Sequence, residues 1–175
     1  MSTIKWTIDP THSEINFKAK HLVISSVTGK FKQFEGQAEA GAEDFDGAKV
    51  SFTAEISSID TNQSDRDAHL KSADFFDAEK YPVLKFENGL IEKSGGDYKL
   101  KGELTIKDIT KPVVLDADFG GIAEDPYGNT KAGFEIEGKV NRKDFGLTWS
   151  AITEAGNVVV GDTIRIMANV QFVKN

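Results

Sequence analysis

The sequence predicts an all-β protein: one antiparallel barrel of eight strands, with a short helical segment near residues 64–77 and residues 1–175 forming a single domain. Three observations carry this prediction. Apolar and polar residues alternate with period two in about eight long runs, the pattern of half-buried strands and not of helices. The alternation stops in two places only, residues 60–82 and 141–161. So many amphipathic strands leave sheet edges that must be hidden, and closing the sheet on itself does that outright. A two-sheet sandwich is the competing arrangement. The barrel is favoured because the runs are long and hold their phase.

Taken in order, residues 4–9 form a short opening strand with Trp6 and Ile8 in phase, ended by Asp9-Pro10. In residues 13–23, Ile15, Phe17, Ala19 and His21 point one way, opposed by Asn16, Lys18 and Lys20. Residues 25–29 read as a turn. Phe34, Gly36, Ala38 and Ala40 form the next inward set. Phe31 is out of phase with them, which predicts a bulge near Lys32-Gln33. Val50, Phe52, Ala54 and Ile56 then alternate with Ser51, Thr53 and Glu55. Ser64 as N-cap, with Asp67 three residues on, predicts a helix over residues 65–71, and residues 73–77 suggest a second helical turn. Strands resume at Leu84 and Phe86. After a turn at residues 94–97 comes the clearest pair. Tyr98, Leu100, Gly102, Leu104 and Ile106 share one face, and Val113, Leu115, Ala117 and Phe119 answer them across a turn at residues 108–111. Pro112 opens the second strand, where a missing N–H is tolerated. Two more runs, Ala132 to Val140 and Ile164 to Phe172, complete the set.

Composition narrows the function classes. The formal net charge is -7 and no run of Lys or Arg interrupts it, which argues against a nucleic-acid or anionic-membrane surface. The absence of cysteine excludes disulfide scaffolding, thiol catalysis and thiolate-bound zinc. The N-terminal stretch shows no basic segment followed by an apolar run, and nothing elsewhere is apolar for long enough to form a membrane-spanning helix. A cytoplasmic location is therefore expected.

The middle of nearly every long strand carries a small inward residue: Ala19, Gly36, Ala38, Ala54, Gly102, Ala117, Gly138 or Ala168. Phenylalanines surround them. An eight-stranded barrel is just wide enough either to be filled by side chains or to hold one small ligand. Small residues at the waist favour an apolar, aromatic-lined cavity, while a packed barrel whose residue sizes follow its taper is the alternative. The candidate wall positions are Phe17, Ala19, Phe31, Phe34, Phe52, Ala54, Leu84, Phe86, Leu104, Leu115, Ala117, Phe134, Ile136 and Ile166. Aromatics of the two irregular segments, Phe75, Phe76, Phe145 and Trp149, are expected over the mouth. His21, Arg66, His69 and Arg142 are the polar groups expected beside them.

Signals for chemistry are weak. The three histidines lack H-x-H or H-x-x-x-H spacing, so no metal site is expected. Arg66, Asp67 and His69 suit capping and lid contacts at least as well as a ligand head group. Arg142 has Asp144 two residues away as a structural partner, but a guanidinium at the mouth also suits a pyrophosphate or a carbonyl. Ser13 beside His12 invites a hydrolase reading, yet no G-x-S-x-G occurs and nothing groups a nucleophile, base and acid. No catalytic residue and no cofactor is expected.

Several segments together resemble the YceI-like proteins: Trp6 to Ser13; Lys20-His21 with Gly29-Lys30-Phe31; Ser58 to Thr61; Arg66 to Ser72; Asp74 to Asp77; Lys80-Tyr81-Pro82; Gly102 to Ile106 with Thr110 to Val113; Asn141 to Leu147; and Val160-Gly161-Asp162. They span the chain in order. Asp108 departs from the pattern, in a turn where glycine is usual. The resemblance implies a lipocalin-like barrel around a long isoprenoid, such as a polyprenyl phosphate or the tail of a quinone, carried or stored without catalysis. An enzyme acting on such a lipid and a stress-response interaction module are the alternatives. Many relatives look periplasmic, some look dimeric, and a homodimer is a possible state for this chain.

Overall fold

Period-two alternation becomes eleven antiparallel strands in the computed structural model, which describes residues 3–22, 24–41, 44–148 and 160–175. They are β1 (Ile4–Ile8), β2 (Glu14–His21), β3 (Ser25–Phe31), β4 (Phe34–Ala40), β5 (Lys49–Glu55), β6 (Ile59–Asp60), β7 (Val83–Ser94), β8 (Asp97–Ile106), β9 (Ile109–Glu124), β10 (Thr130–Asn141) and β11 (Val160–Lys174). One α-helix, α1 (Ser64–Lys71), and short 3-10 turns at Pro10–His12, Ile56–Ser58 and Arg142–Phe145 join them.

Three pairs of these strands are single staves with a break. The turn at Pro10–His12 divides β1 from β2, the kink at Lys32-Gln33 divides β3 from β4, and Ile56–Ser58 divides β5 from β6. The expected barrel of eight staves results, each pairing with its neighbours in sequence. The long β11 closes it. Its C-terminal end pairs with β1 (Ile8 opposite Phe172) and its N-terminal two-thirds with β2 (Ala19 opposite Ile164). The first break has a clear cause. Asp9 Oδ1 accepts from Thr11 N at 3.1 Å and from Thr11 Oγ1 at 2.7 Å, turning the chain at Pro10. Ser13 then re-enters the sheet, its hydroxyl accepting the Gln171 amide at 3.0 Å.

The up-and-down order gives the barrel two unlike ends. At one, the loop between β4 and β5 turns inward and buries Phe45 completely. The Phe45 ring lies 5.1 Å from Trp6, 5.0 Å from Phe134 and 5.5 Å from Phe119, and Phe119 stacks on Phe134 at 4.9 Å. This aromatic cluster plugs that end. The other end carries the β2–β3 turn, the α1 segment, the β8–β9 turn and the chain leaving Arg142.

Four local expectations are corrected. Residues 25–29 are strand, not turn: Gly29 faces Phe17 across β2–β3, and a Cβ there would overlap the Phe17 ring. It is a packing glycine, and the chain reverses earlier, with Leu22 in the left-handed region at φ 55°. The N-cap of α1 is Gln63, whose Oε1 accepts from Arg66 N at 2.5 Å, not Ser64. The β8–β9 turn falls at Lys107 (φ 59°) and Asp108, so β9 starts before Pro112. Pro112 pairs with Glu103 of β8, in a stretch of β9 that precedes its registered pairing with β10, so no ladder bond is lost on that side.

Candidate functional site

Inward phase on all eight staves encloses a cavity of about 530 Å³, within the range of small-molecule sites (roughly 300–1,000 Å³). It runs from the aromatic plug, where Phe134, Val170 and Phe172 line it, to α1, Arg142 and Val160 at the other end. Its wall is almost wholly apolar. The cavity reading of the waist therefore holds over the packed-barrel alternative, although not through every small residue on which it was based.

Glycine gives space to neighbouring side chains here as much as to the lumen. A Cβ at Gly102 would collide with the Phe86 ring, and one at Gly138 with Leu115. A Cβ at Gly36 would meet Phe52 and Ile8 only at ordinary contact distance, 3.4 and 3.5 Å, and Gly36 itself lines the cavity. At Gly102 and Gly138, Phe86 and Leu115 lean over from the adjacent strands and form the wall there themselves.

Among the positions expected at the wall, the structure places Phe17, Ala19, Phe31, Phe52, Leu84, Phe86, Leu104, Leu115, Phe134, Ile136 and Ile166 on it. Phe34, Ala54 and Ala117 are not on it. Phe34 packs behind Phe52, with ring centroids 6.0 Å apart. Ala54 lies between Phe34 and Leu84 in register, and Ala117 between Tyr98 and Ile136, so larger partners cover both. Of the mouth aromatics, Phe75 and Phe76 reach the cavity, and Phe76 also meets Phe31 edge-on at 6.4 Å. Phe145 does not reach it: the 3-10 turn buries it against β9, β10 and β11. Trp149 lies outside the described residues, as does the side chain of His21. Ile8, Ile15, Val27, Ile91, Leu100, Ile164, Val170 and Phe172 also line the cavity. Most share an inward phase with the chosen positions, and that phase was the signal for them. Phe45 had no such signal, since it sits in a loop.

The polar groups at the mouth are engaged. Arg142 is 2% exposed, and its guanidinium donates from Nη1 to Leu147 O at 2.6 Å and from Nε to Gly161 O at 3.0 Å. Its Nη2 reaches Val160 O at 3.4 Å and Asp162 Oδ1 at 3.5 Å. Asp162, not Asp144, is thus its acidic neighbour. Burial pushes the Arg142 pKa down and Asp162 opposes this. The residue ties the start of the β10–β11 connection to its end. Arg66 donates from Nε to Thr61 Oγ1 at 2.8 Å and from Nη2 to Thr61 O at 2.7 Å. Asp67 Oδ1 accepts from Thr61 N at 2.8 Å. This knot holds α1, which has no buried residue of its own, onto the end of β6. His69 Nε2 sits 3.0 Å from Asp74 Oδ2, and its ring meets Phe75 edge-on at 5.1 Å.

Ser13 and His12 do not form a nucleophilic pair. The Ser13 hydroxyl serves the β11 backbone, while His12 Nδ1 lies 2.8 Å from Asp9 Oδ2. Among the described residues, no three His, Asp or Glu side chains group as a metal site. No described helix is long and apolar enough to cross a membrane.

An eight-stave antiparallel barrel, plugged at one end and enclosing an apolar cavity, defines a lipocalin-like barrel. Residues 6–172 match the model of the YceI-like domain, and the chain belongs to that family. A YceI protein of Escherichia coli is 41% identical over 136 residues, 78% of this chain and 71% of that one. The crystal structure of a Campylobacter jejuni YceI protein is 35% identical, covers 86% of this chain and 88% of its own, and superposes with a TM-score of 0.63. A polyisoprenoid binding domain from Saccharophagus degradans shares the fold at 12% identity, with a TM-score of 0.72 over 97% of this chain and 98% of its own.

Proposed function

We propose that this protein binds a long-chain isoprenoid lipid inside the barrel and carries or stores it unchanged. The observation that carries the reading is the apolar cavity: a lumen closed by Phe45 and its neighbours and walled by side chains from all eight staves. Such a lumen suits a branched hydrocarbon tail. Each buried CH₂ contributes about 0.8 kcal/mol, so a tail gains affinity without any reacting group. The fold shared with a polyisoprenoid binding domain supports the same class of ligand. The engagement of Arg142, Arg66 and His69 by neighbouring groups supports a carrier over an enzyme.

The test is mass spectrometry of organic extracts from the purified protein, followed by incubation of the recovered lipid with fresh protein. A polyprenyl lipid that co-purifies and returns unaltered is expected. An extract without isoprenoid would overturn the ligand class, and a converted product would replace the carrier with an enzyme.

A further inference from the structure

We propose that the outer wall beside the open end is a docking surface for anionic lipid bilayers. The sequence shows no cationic run, but the strand register builds one in space. Lys139 on β10 stands directly opposite Arg165 on β11, and Arg165 directly opposite Lys18 on β2. Three cations from three strands thus form one row across the sheet, on the face turned away from the cavity. Lys139 and Arg165 are exposed and Lys18 is half-buried. Lys20, two residues on from Lys18 and also exposed, extends the patch toward the mouth.

Like charges directly opposite each other in a sheet are destabilising. Some outward lysines elsewhere on this barrel have acidic partners, Lys99 with Asp116, Lys101 with Glu92 and Lys131 with Asp9, while isolated ones such as Lys5 and Lys49 stand across from Glu39. Lys18, Lys139 and Arg165 have no ion pair among the described residues. Glu137, on the same face of β10, lies one row nearer the plug, and Asp162 is held by Lys143 and Arg142. An unrelieved row of this kind suits an external layer of negative charge.

Two apolar side chains single out a bilayer. Ile24, in the β2–β3 turn four residues on from Lys20, is 85% exposed, and Val114, on the β9 strand next to β10, is 58% exposed. Cations flanking exposed aliphatic groups are the composition of a surface that rests in the headgroup layer. The loops and strand ends at the plugged end carry Asp44, Asp46, Asp97, Glu124 and Asp125, so repulsion turns that end away from an anionic surface. The net charge does not prevent contact, because at physiological ionic strength the screening length is about 8 Å and a membrane senses the nearest patch. This proposal goes beyond the cargo reading and does not depend on which lipid fills the barrel.

The test is flotation of the purified protein with vesicles of pure phosphatidylglycerol or pure phosphatidylcholine. Salt-sensitive binding to the first and none to the second is expected. The triple variant Lys18→Gln/Lys139→Gln/Arg165→Gln should weaken binding on the order of a hundredfold, and Arg165→Gln alone about fivefold. A control, Lys5→Gln/Lys49→Gln/Lys93→Gln in the plugged half, removes the same charge and should bind as the unchanged protein does. Neutralising the row relieves repulsion, so the melting temperature of the triple variant should not fall. If it does, the single variant decides. Equal binding to both vesicles, no binding to phosphatidylglycerol, or variants of the row that bind normally would each overturn the proposal. Extracted cargo, read separately by mass spectrometry, stands or falls independently of these outcomes.

Discussion

The ring of Phe86 occupies the space that a side chain at Gly102 would need. The two residues lie on paired strands, β7 and β8, where Phe86 registers with Leu104. Phe86 is 5% exposed and contributes to the cavity wall from over the glycine. A glycine in mid-strand here sets how far an aromatic ring leans out of the lumen.

Gly102→Val should push Phe86 inward. Overpacking of this kind typically costs about 1–3 kcal/mol. The variant is expected to melt at lower temperature and to retain less lipid in the same extract assay. A fall in stability with unchanged lipid content would show that the ring has somewhere else to go.

Phe45→Ala removes the centre of the plug. Truncating a buried phenylalanine typically costs about 3–5 kcal/mol. Because Phe45 holds Trp6, Phe119 and Phe134 together at the closed end, bound lipid should also dissociate faster, as followed by transfer to acceptor vesicles. Slower or unchanged release would mean that the end stays closed without it.

Arg142→Ala leaves the carbonyls of Leu147 and Gly161 without their charged donor. A hydrogen bond to a charged group is typically worth about 1.5–3 kcal/mol, so urea denaturation should register a loss of about 3 kcal/mol or more. Affinity for a prenyl phosphate and a prenyl alcohol should fall alike, because the guanidinium is spent on the backbone. Arg142→Lys should not restore stability, since a single ammonium cannot span the same carbonyls. A selective loss of the phosphate would reassign Arg142 to the head group.

Asp9 joins the N-terminal turn to β10, with Lys131 Nζ at 2.7 Å and Thr11 and His12 on the same carboxylate. The bond from Lys131 is the largest of the causes that hold its pKa well below the usual carboxylate range, and burial opposes them. A carboxylate depressed in the folded state contributes stability that is fully present above its unfolded value, about 3.9, and is lost as the pH falls below that. Urea midpoints of the protein and of Asp9→Asn should therefore differ at pH 7 and converge in stronger acid. A gap independent of pH would assign the effect to packing.

The alternation in residues 98–119 was enough to read β8 and β9 and, by repetition, the barrel, because a strand's two faces are written in consecutive residues. Glycine is harder to read. Gly29 looked like a turn and proved to be room for Phe17, and nothing in one strand reveals what leans over from the next. The same limit explains Ala54 and Ala117, which have the inward phase but are covered by Phe34, Leu84, Tyr98 and Ile136. Phe45 belongs to no periodic run, so its role at the plug shows only once the loop is seen to fold inward. The row of Lys18, Arg165 and Lys139 depends on the registers of β2 with β11 and of β11 with β10, the first of which joins strands more than a hundred residues apart, and composition cannot express either.

The closure of β11 onto β1 has a kinetic consequence. Every other pair of neighbouring staves is consecutive in sequence, but Trp6 opposite Lys174, with Asn175 N bonded to Lys5 O at 2.9 Å, joins the first stave to the last. The entropy of closing so long a loop must be lost before this seam returns any energy, which makes it the slow step of a β topology. The barrel should therefore zip along its hairpins first and seal last. Pulsed hydrogen exchange should find amides of the β8–β9 hairpin protected before those of Asp9 and Gln171, which bond across the seam. Until the seam forms, the outer edge of β11 and the edges of β1 and β2 lie open to pairing with other chains, so the seam is the protein's own guard against aggregation.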